Sequence, residues 1–299
     1  YTEIGVSAGL AITSSIKTNG VTTGDIDNDG DRDIFVTTSE SQNNLLLVNN
    51  GDNTLSDISV SAGINDAVWS TSASFGDYNR DGFLDIMVGE YVNYFDLPFY
   101  NFMTSGNSNR LYLNNGDNTF TDVAALIGTV NAGGVLATTF TDYDFDSDPD
   151  IIIGNDFGNL YGGNTLLRNN YPTNDYNDIS VSSGFYYEIN AMGIAIGDYD
   201  EDLDLDYYIT NMMTNLLHTN NNDQTFTENA FTAGVSAVTP VSWGTFFFDF
   251  DNDTYLDLFS AAGGVMTMSE PQVNSLFQNQ QDGTFLEVAI SESFLYISP

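Results

Sequence analysis

Short runs of apolar residues alternate along the chain with polar stretches rich in Gly, Asn and Asp, and no segment keeps the three-to-four-residue spacing of an amphipathic helix. The clearest apolar runs follow acidic stretches and lie at residues 34–38, 86–88, 151–153, 207–210 and 258–259. Short β-prone runs bounded by turn residues predict an all-β protein.

An acidic nine-residue loop precedes each of these runs. We name these segments loops 1 to 5 and number their positions 1 to 9; they span residues 25–33, 77–85, 142–150, 198–206 and 249–257. A unit of roughly 50 to 65 residues therefore recurs five times, which indicates a repeat architecture.

A hairpin motif forms the second part of the repeat. Residues 44–58 and 109–123 share the turn sequence Asn-Asn-Gly-Asp-Asn-Thr, and looser copies lie at 165–179, 216–229 and 275–288. About four strands per unit predict a β-propeller built from about five four-stranded units. A two-sheet sandwich would explain the strands but not the period.

The repeat also predicts the domain organisation. We expect one β-propeller domain over 1–299, with units at approximately 11–64, 65–129, 130–185, 186–235 and 236–299. Residues 1–10 match residues 55–64, so they are predicted to add one outer strand too many. That strand would complete another blade or pair with a neighbouring subunit.

The acidic loops have the ligand pattern of a calcium site. Positions 1, 3, 5 and 9 are Asp in all five loops except for Asn79, position 7 can offer its carbonyl, and Ca²⁺ requires six to eight oxygen ligands. We predict about five Ca²⁺ ions per chain, held by Asp25, Asp27, Asp29, Asp31 and Asp33; Asp77, Asn79, Asp81, Phe83 and Asp85; Asp142, Asp144, Asp146, Asp148 and Asp150; Asp198, Asp200, Asp202, Asp204 and Asp206; and Asp249, Asp251, Asp253, Tyr255 and Asp257.

Position 6 divides the loops into two groups. Gly30 and Gly82 suit a sharp turn with positive φ, whereas Ser147, Leu203 and Thr254 would each cost on the order of 1 kcal/mol there. The last three loops are expected to bind more weakly or to bend differently. None of the five is an EF-hand, because the Glu at position 12 and the flanking helices are missing.

Charge and composition agree with a cation-binding protein. The formal net charge is −37, and the five loops hold 23 of the 42 acidic residues when counted along the sequence. Such a charge argues against nucleic acid and anionic membranes as partners. There is no cysteine, and no run approaches the ~20 apolar residues of a membrane span. Tyr1 predicts a removed targeting segment or a longer parent chain.

The motifs resemble those of the FG-GAP/VCBS repeat family, which includes the integrin α-subunit propeller, and they look closest to the cartilage acidic protein branch. The resemblance is carried by the loop at 76–85 (GDYNRDGFLD), the hairpin at 109–116 (NRLYLNNG) and the strand at 120–123 (FTDV). It implies a propeller with Ca²⁺ between the first two strands of each blade, an extracellular setting, and a role in adhesion or assembly. Family members often have seven blades, and this chain has five units.

No catalytic constellation stands apart from the repeats. The string GVSAG at 5–9 fits a nucleophile pattern, but it recurs as SVSAG at 59–63 and SVSSG at 180–184, so we interpret it as a repeated turn. His218 is the sole histidine and matches Val48, Leu113 or Asn169 of the other hairpins, which predicts a structural role. Paired carboxylates for glycoside hydrolysis stay open in so acidic a chain. We predict that the protein is not an enzyme.

Two further segments bear on partners. The insertion at 90–108 carries six aromatic residues, which predict either a contact surface for glycan or protein, or a loop packed on the propeller rim. The glycosylation sequon at Asn252 lies inside loop 5 and is predicted to be unmodified in a calcium-loaded protein.

Together these features predict a secreted or cell-surface adhesion or structural module that binds a protein or glycan and self-associates through a terminal strand. A lectin-like propeller is the first alternative and a polysaccharide-active enzyme the second.

Overall fold

The computed structural model describes residues 2–10, 16–39, 42–65, 67–91, 108–131, 133–236, 241–264 and 272–289. These residues form five four-stranded sheets and one two-stranded sheet. Each four-stranded sheet takes its strands in chain order, so neighbouring strands are joined by short connections. The prediction of an all-β repeat fold is confirmed.

The five sheets, called sheets 1 to 5, have the same construction. Their first strands are β1 (Thr18–Gly24), β7 (Ser70–Gly76), β11 (Gly134–Thr141), β15 (Ala191–Gly197) and β19 (Ser242–Phe248). Their second strands are β2 (Asp33–Thr38), β8 (Asp85–Glu90), β12 (Asp150–Asp156), β16 (Asp206–Asn211) and β20 (Asp257–Ala262). Their third strands are β4 (Leu45–Asn49), β9 (Arg110–Asn114), β13 (Thr165–Asn169), β17 (Leu216–Asn220) and β21 (Ser275–Asn279). Their fourth strands are β5 (Leu55–Asp57), β10 (Phe120–Asp122), β14 (Tyr176–Asp178), β18 (Phe226–Glu228) and β22 (Phe285–Glu287).

Little other regular structure is present among the described residues. β3 (Gln42–Asn43) and β6 (Ala67–Val68) form the two-stranded sheet, and the helices are α1 (Ala124–Ile127), α2 (Gly158–Tyr161) and α3 (Ala230–Ala233). No helix in this part of the chain is long and apolar enough to cross a membrane.

The chain divides into two compact units. Unit 1 comprises Tyr1–Thr141, Asp148–Ile153 and Leu167–Asp178, and unit 2 comprises Asp142–Ser147, Gly154–Leu166 and Ile179–Pro299. Unit 1 contains two apolar clusters, one around Met87 and Ile151 and the other around Phe35 and Ile86. Unit 2 contains a cluster around Tyr208 and Phe277. A single domain over 1–299 stays a prediction.

The acidic loops close the first hairpin of the sheets. Gly24 pairs with Asp33, Gly76 with Asp85, Gly197 with Asp206 and Phe248 with Asp257, so position 9 of each of these loops is the first residue of the second strand. The nine residues therefore form a connection between two antiparallel strands, as the sequence predicted. This placement fixes the loops at one end of each hairpin.

Residues 2–10, predicted as an extra outer strand, form no strand; Tyr1 lies outside the described residues. Residues 5–9 form a turn in which the N–H of Ala8 donates to the carbonyl of Ile4, and the carbonyl of Ala8 accepts the N–H of Leu55 at 2.8 Å. In the second repeat, the carbonyl of Ala62 accepts the N–H of Phe120 in the same way. The similarity to 55–64 was therefore real, but it comes from the turn after the fourth strand. Self-association of the chain stays a prediction.

Candidate metal centres

All five acidic loops have the same backbone course. Position 4 has φ between 55° and 63° and position 6 has φ between 71° and 93°. The residues at position 6 that are not glycine are Ser147, Leu203 and Thr254, and their φ values are 71°, 74° and 81°. The expectation that these three loops bend differently is wrong, because they adopt the strained left-handed conformation that glycine adopts elsewhere.

Asp at position 1 holds this course in place. Its two carboxylate oxygens accept the N–H groups of positions 5 and 6, at 3.1 and 3.0 Å in loop 1 and at 3.0 and 2.8 Å in loop 2. Loops 4 and 5 repeat both bonds, and loop 3 repeats the bond to position 6. Since these bonds determine the turn, they compensate for the positive φ of a non-glycine residue at position 6.

Asp at position 9 links the loop to the rest of its sheet. One carboxylate oxygen accepts the N–H of position 2, at 2.9 Å in loops 1, 2 and 5 and at 3.2 Å in loop 4. The other accepts the N–H of the last residue of the third strand, at 2.8 to 2.9 Å in all five sheets. These aspartates are at most 1% exposed, so position 9 has a structural role that the sequence did not reveal.

Position 3 supplies a carboxylate oxygen without a protein partner in three of the loops. One oxygen each of Asp27, Asp144 and Asp200 is buried and has no hydrogen-bond partner among the described residues. Carboxylate oxygens from three positions of one loop come within 4.8 Å of one another in loops 1, 3, 4 and 5. Because clustered carboxylates repel each other unless a cation neutralises them, this donor set fits Ca²⁺.

Loop 2 differs at position 3. The amide of Asn79 donates to Oδ2 of Asp81 at 2.9 Å, and its oxygen accepts the N–H of Asp81 at 3.1 Å. This loop therefore brings fewer carboxylates together than the other four, although its position 6 is the favourable Gly82. Asp77, Asn79, Asp81, Phe83 and Asp85 remain its predicted ligands.

Burial makes several of these carboxylates hard to ionise. Burial is the largest cause that raises the pKa of Asp85 to about 7 and that of Asp206 to about 8, and backbone N–H groups only partly oppose it. Burial and then the charge of Asp202 raise the pKa of Asp204 to about 7. An anionic form of these groups therefore requires compensation, which a bound cation would supply.

Sequence reasoning missed the asparagine that ends each third strand. In four sheets its Nδ2 donates to the carbonyl of position 2 in the preceding loop: Asn114 to Ile26, Asn169 to Tyr78, Asn220 to Tyr143 and Asn279 to Tyr199, at 2.7 to 2.9 Å. The recurring Asn was visible in the hairpin motif, but it also fits a turn signal, and its partner lies about 80 residues away in the chain. These side chains join successive acidic loops within each unit.

His218 occupies a different repeat position from the one predicted. Its register places it two residues before the terminal Asn220, where the other third strands carry Leu47, Tyr112, Leu167 and Phe277. The ring is fully buried and stacks on Phe185 with centroids 4.4 Å apart, and neither ring nitrogen has a hydrogen-bond partner among the described residues. This environment supports the predicted structural role.

The substitution His218→Leu is expected to stabilise the protein increasingly at acidic pH. Burial lowers the pKa of His218 to about 3, whereas the unfolded chain protonates near pH 6.5. Below pH 6.5 His218 binds a proton in the unfolded state but stays neutral in the folded state until the pH approaches 3. The free energy of unfolding of the wild type therefore falls as the pH falls. The free-energy difference between variant and wild type should grow by up to about 1.4 kcal/mol per pH unit below 6.5, measured by urea unfolding. A difference independent of pH would show that the imidazole becomes protonated in the fold.

The aromatic insertion lies largely outside the described residues. Tyr94, Phe95, Phe99, Tyr100 and Phe102 belong to that part of the chain, whereas Tyr91 is buried against Trp69, with ring centroids 5.7 Å apart. The choice between a contact surface and a packed loop stays a prediction.

Successive four-stranded antiparallel sheets, each with an acidic loop between its first two strands, define a β-propeller fold with metal-type loops. Residues 10–88 and 101–153 match the family model described as FG-GAP-like repeat. These residues therefore carry FG-GAP-like repeats, and the predicted resemblance to that repeat family is confirmed over this part of the chain. The match does not distinguish the integrin-like branch from the cartilage acidic protein branch.

Comparison with known proteins gives distant relatives of the fold. No curated protein matches the chain by sequence. A solved structure of an Agrocybe aegerita lectin, concerned with specific recognition of non-reducing terminal N-acetylglucosamine, is 16% identical and covers 90% of this chain and 64% of its own, with a TM-score of 0.50. The Dos1 propeller is 7% identical over 77% of this chain and 50% of its own (TM-score 0.44). The V. cholerae biofilm matrix protein Bap1 is 14% identical over 90% of this chain and 39% of its own (TM-score 0.49). This chain thus spans less than two thirds of each.

Proposed function

We propose that this protein is a calcium-stabilised adhesion or structural module that acts outside the cell and has no enzymatic activity. The observation that carries the proposal is the set of buried, unpartnered oxygens at position 3, which face other carboxylates of the same loop. The match of residues 10–88 and 101–153 to FG-GAP-like repeats supports the same proposal. The partner of the module would be a protein or glycan at a cell surface.

The ion's role follows from the place of the loops. Each loop closes the first hairpin of its sheet, and position 9 joins it to the third strand. An ion between positions 1, 3, 5 and 9 would therefore fix the hairpin and neutralise charge that otherwise opposes folding. Extracellular calcium modules bind at about 10⁻⁴–10⁻³ M, so the ions would be permanently bound in calcium-rich fluid.

The test of the proposal is metal binding by the native protein. We expect equilibrium dialysis against about 2 mM Ca²⁺ to give about five ions per chain, and thermal unfolding to occur at a higher temperature in Ca²⁺ than in EDTA, since a ligand of the folded state stabilises it. Mg²⁺ at the same concentration is the control, because it demands a stricter octahedral geometry. Absence of both bound calcium and a thermal shift would overturn the proposal.

A second candidate function, binding of carbohydrate, is supported by exposed aromatic side chains on β19. Trp243 is 36% exposed and Phe246 is 49% exposed, and the ring of Phe246 contacts Phe248 and Phe259. Clustered exposed aromatic groups mark binding surfaces more often than scattered ones do. A glycan array that includes terminal N-acetylglucosamine tests it with Phe246→Ala, which removes the exposed ring of this cluster, and Phe231→Ala, at an exposed helix position, is the control.

A further inference from the structure

Position 7 of the acidic loops offers a side chain as well as a carbonyl. In loop 3, Oδ1 of Asp148 accepts a hydrogen bond from Nη1 of Arg80 at 2.9 Å. Arg80 is position 4 of loop 2, so one loop supplies a cation to the next. Loops 1 and 2 also touch between positions 4 and 6, where Nδ2 of Asn28 donates to the carbonyl of Gly82 at 3.0 Å. Position 4 therefore faces the following loop.

Loop 4 has the same carboxylate at position 7 without such a cation. Asp204 is 2% exposed, and neither of its carboxylate oxygens accepts a hydrogen bond from a donor among the described residues; the side chain that it meets is the carboxyl of Asp202. The residue at position 4 of the preceding loop is Phe145, which is uncharged and 54% exposed. A buried carboxylate that lacks donors is unfavourable unless a cation accompanies it.

Three other acidic residues of loop 4 act on the carboxylate of Asp204. The acidic neighbours that act on its carboxylate are Asp202 first, then Asp200 and Asp198. The N–H of Asp204 also donates to Oδ1 of Asp202 at 3.2 Å, which places the two residues side by side. Loop 4 contains six acidic residues and no Lys or Arg, so one Ca²⁺ would leave a formal charge of −4 (−6 + 2).

We propose that Asp204 and Asp202 bind a second divalent cation in loop 4. This cation would neutralise the carboxylate of Asp204 as the guanidinium of Arg80 neutralises that of Asp148. The inference rests on the proposed calcium function of the loops. Asp202 is exposed, so water can complete the oxygen shell of this ion on the solvent side. The first Ca²⁺ of loop 4 keeps positions 1, 3 and 9, which are Asp198, Asp200 and Asp206 and whose carboxylate oxygens lie within 4.8 Å of one another.

The experiment counts calcium on the full chain at saturation by equilibrium dialysis and native mass spectrometry. With one ion in each loop and the second ion of loop 4, the wild type should bind about six. Asp204→Asn keeps the shape of the side chain and removes its charge, so we expect it to bind one ion fewer than the wild type. Asp223→Asn, which removes an exposed hairpin carboxylate in the same unit, is the matched control and should leave the count unchanged. An Asp204→Asn protein that binds as many ions as the wild type, even with weaker affinity, would overturn the inference.

A second variant decides the matter if Asp204→Asn does not fold. Phe145→Arg leaves every carboxylate in place and supplies loop 4 with the cation that Arg80 gives to loop 3. We expect this variant to lose the same ion, and an unchanged count would overturn the inference. The proposed function fails separately, since it fails only if the wild type binds no calcium at all.

Discussion

Asp85→Asn is expected to lower the free energy of unfolding by about 1–3 kcal/mol in the presence of calcium and in EDTA alike. The two carboxylate oxygens of Asp85 accept the N–H groups of Tyr78 and Asn114, both at 2.9 Å, inside a fully buried site. An amide offers one oxygen, and its NH₂ group would face the second donor. At least one buried backbone N–H is then left without an acceptor, whether or not an ion is bound.

Asp27→Asn, the matched comparison, is expected to behave in the opposite way in EDTA. Its Oδ1 is buried without a hydrogen-bond partner among the described residues and lies with Asp25 and Asp29. Removing this charge should destabilise the calcium-loaded protein, because a ligand is weakened, but should slightly stabilise the metal-free protein, because repulsion falls. Urea unfolding of both variants in 2 mM Ca²⁺ and in EDTA separates the two roles. If the loss for Asp85→Asn disappears in EDTA, position 9 acts only as a ligand.

This difference between positions 3 and 9 marks the limit of sequence reasoning about the site. Both positions are Asp in a regular pattern, so both were predicted as ligands on the same ground. The N–H groups that Asp85 accepts come from Tyr78, at position 2 of the same loop, and from Asn114, 29 residues further along the chain. A loop sequence records which residues are present, but pairing between strands decides which of their oxygens are already engaged.

The fold was more predictable than the details of the loops. The alternation of short strands and turns was sufficient to predict the four-stranded sheets, because the same pattern occurs in each repeat unit. Positive φ was expected only at position 6, yet position 4 also adopts it, with Arg80 at 59° and Phe145 at 55°. Side chains such as Arg80 and Phe145 do not indicate positive φ by themselves, because hydrogen bonds from Asp at position 1 impose the course of the loop. Residues 2–10 were misassigned because a strand and the turn after it were matched together.

Asn279→Leu is expected to destabilise the protein by about 3–5 kcal/mol. Asn279 is 4% exposed, and its Nδ2 donates to the carbonyls of Tyr199 at 2.7 Å and Leu256 at 3.0 Å. Its Oδ1 accepts the N–H of Gln281 at 2.9 Å. Leucine fills a similar volume but leaves these three backbone groups without the side-chain partner, and both carbonyls belong to acidic loops. Chemical unfolding monitored by tryptophan fluorescence measures the loss.

Asn49→Leu is the matched control, because Asn49 ends the third strand of sheet 1 as Asn279 ends that of sheet 5. Its Oδ1 accepts the N–H of Gly51 at 3.1 Å, so it makes the same turn bond, but its Nδ2 makes only a 3.4 Å contact to the carbonyl of Arg32. We expect a loss of about 1 kcal/mol for Asn49→Leu. Equal losses in the two variants would assign the effect to the shared turn bond. A larger loss at Asn279 assigns it to the bond with Tyr199, and because Tyr199 lies between Asp198 and Asp200, calcium binding by loop 4 should weaken in the same variant.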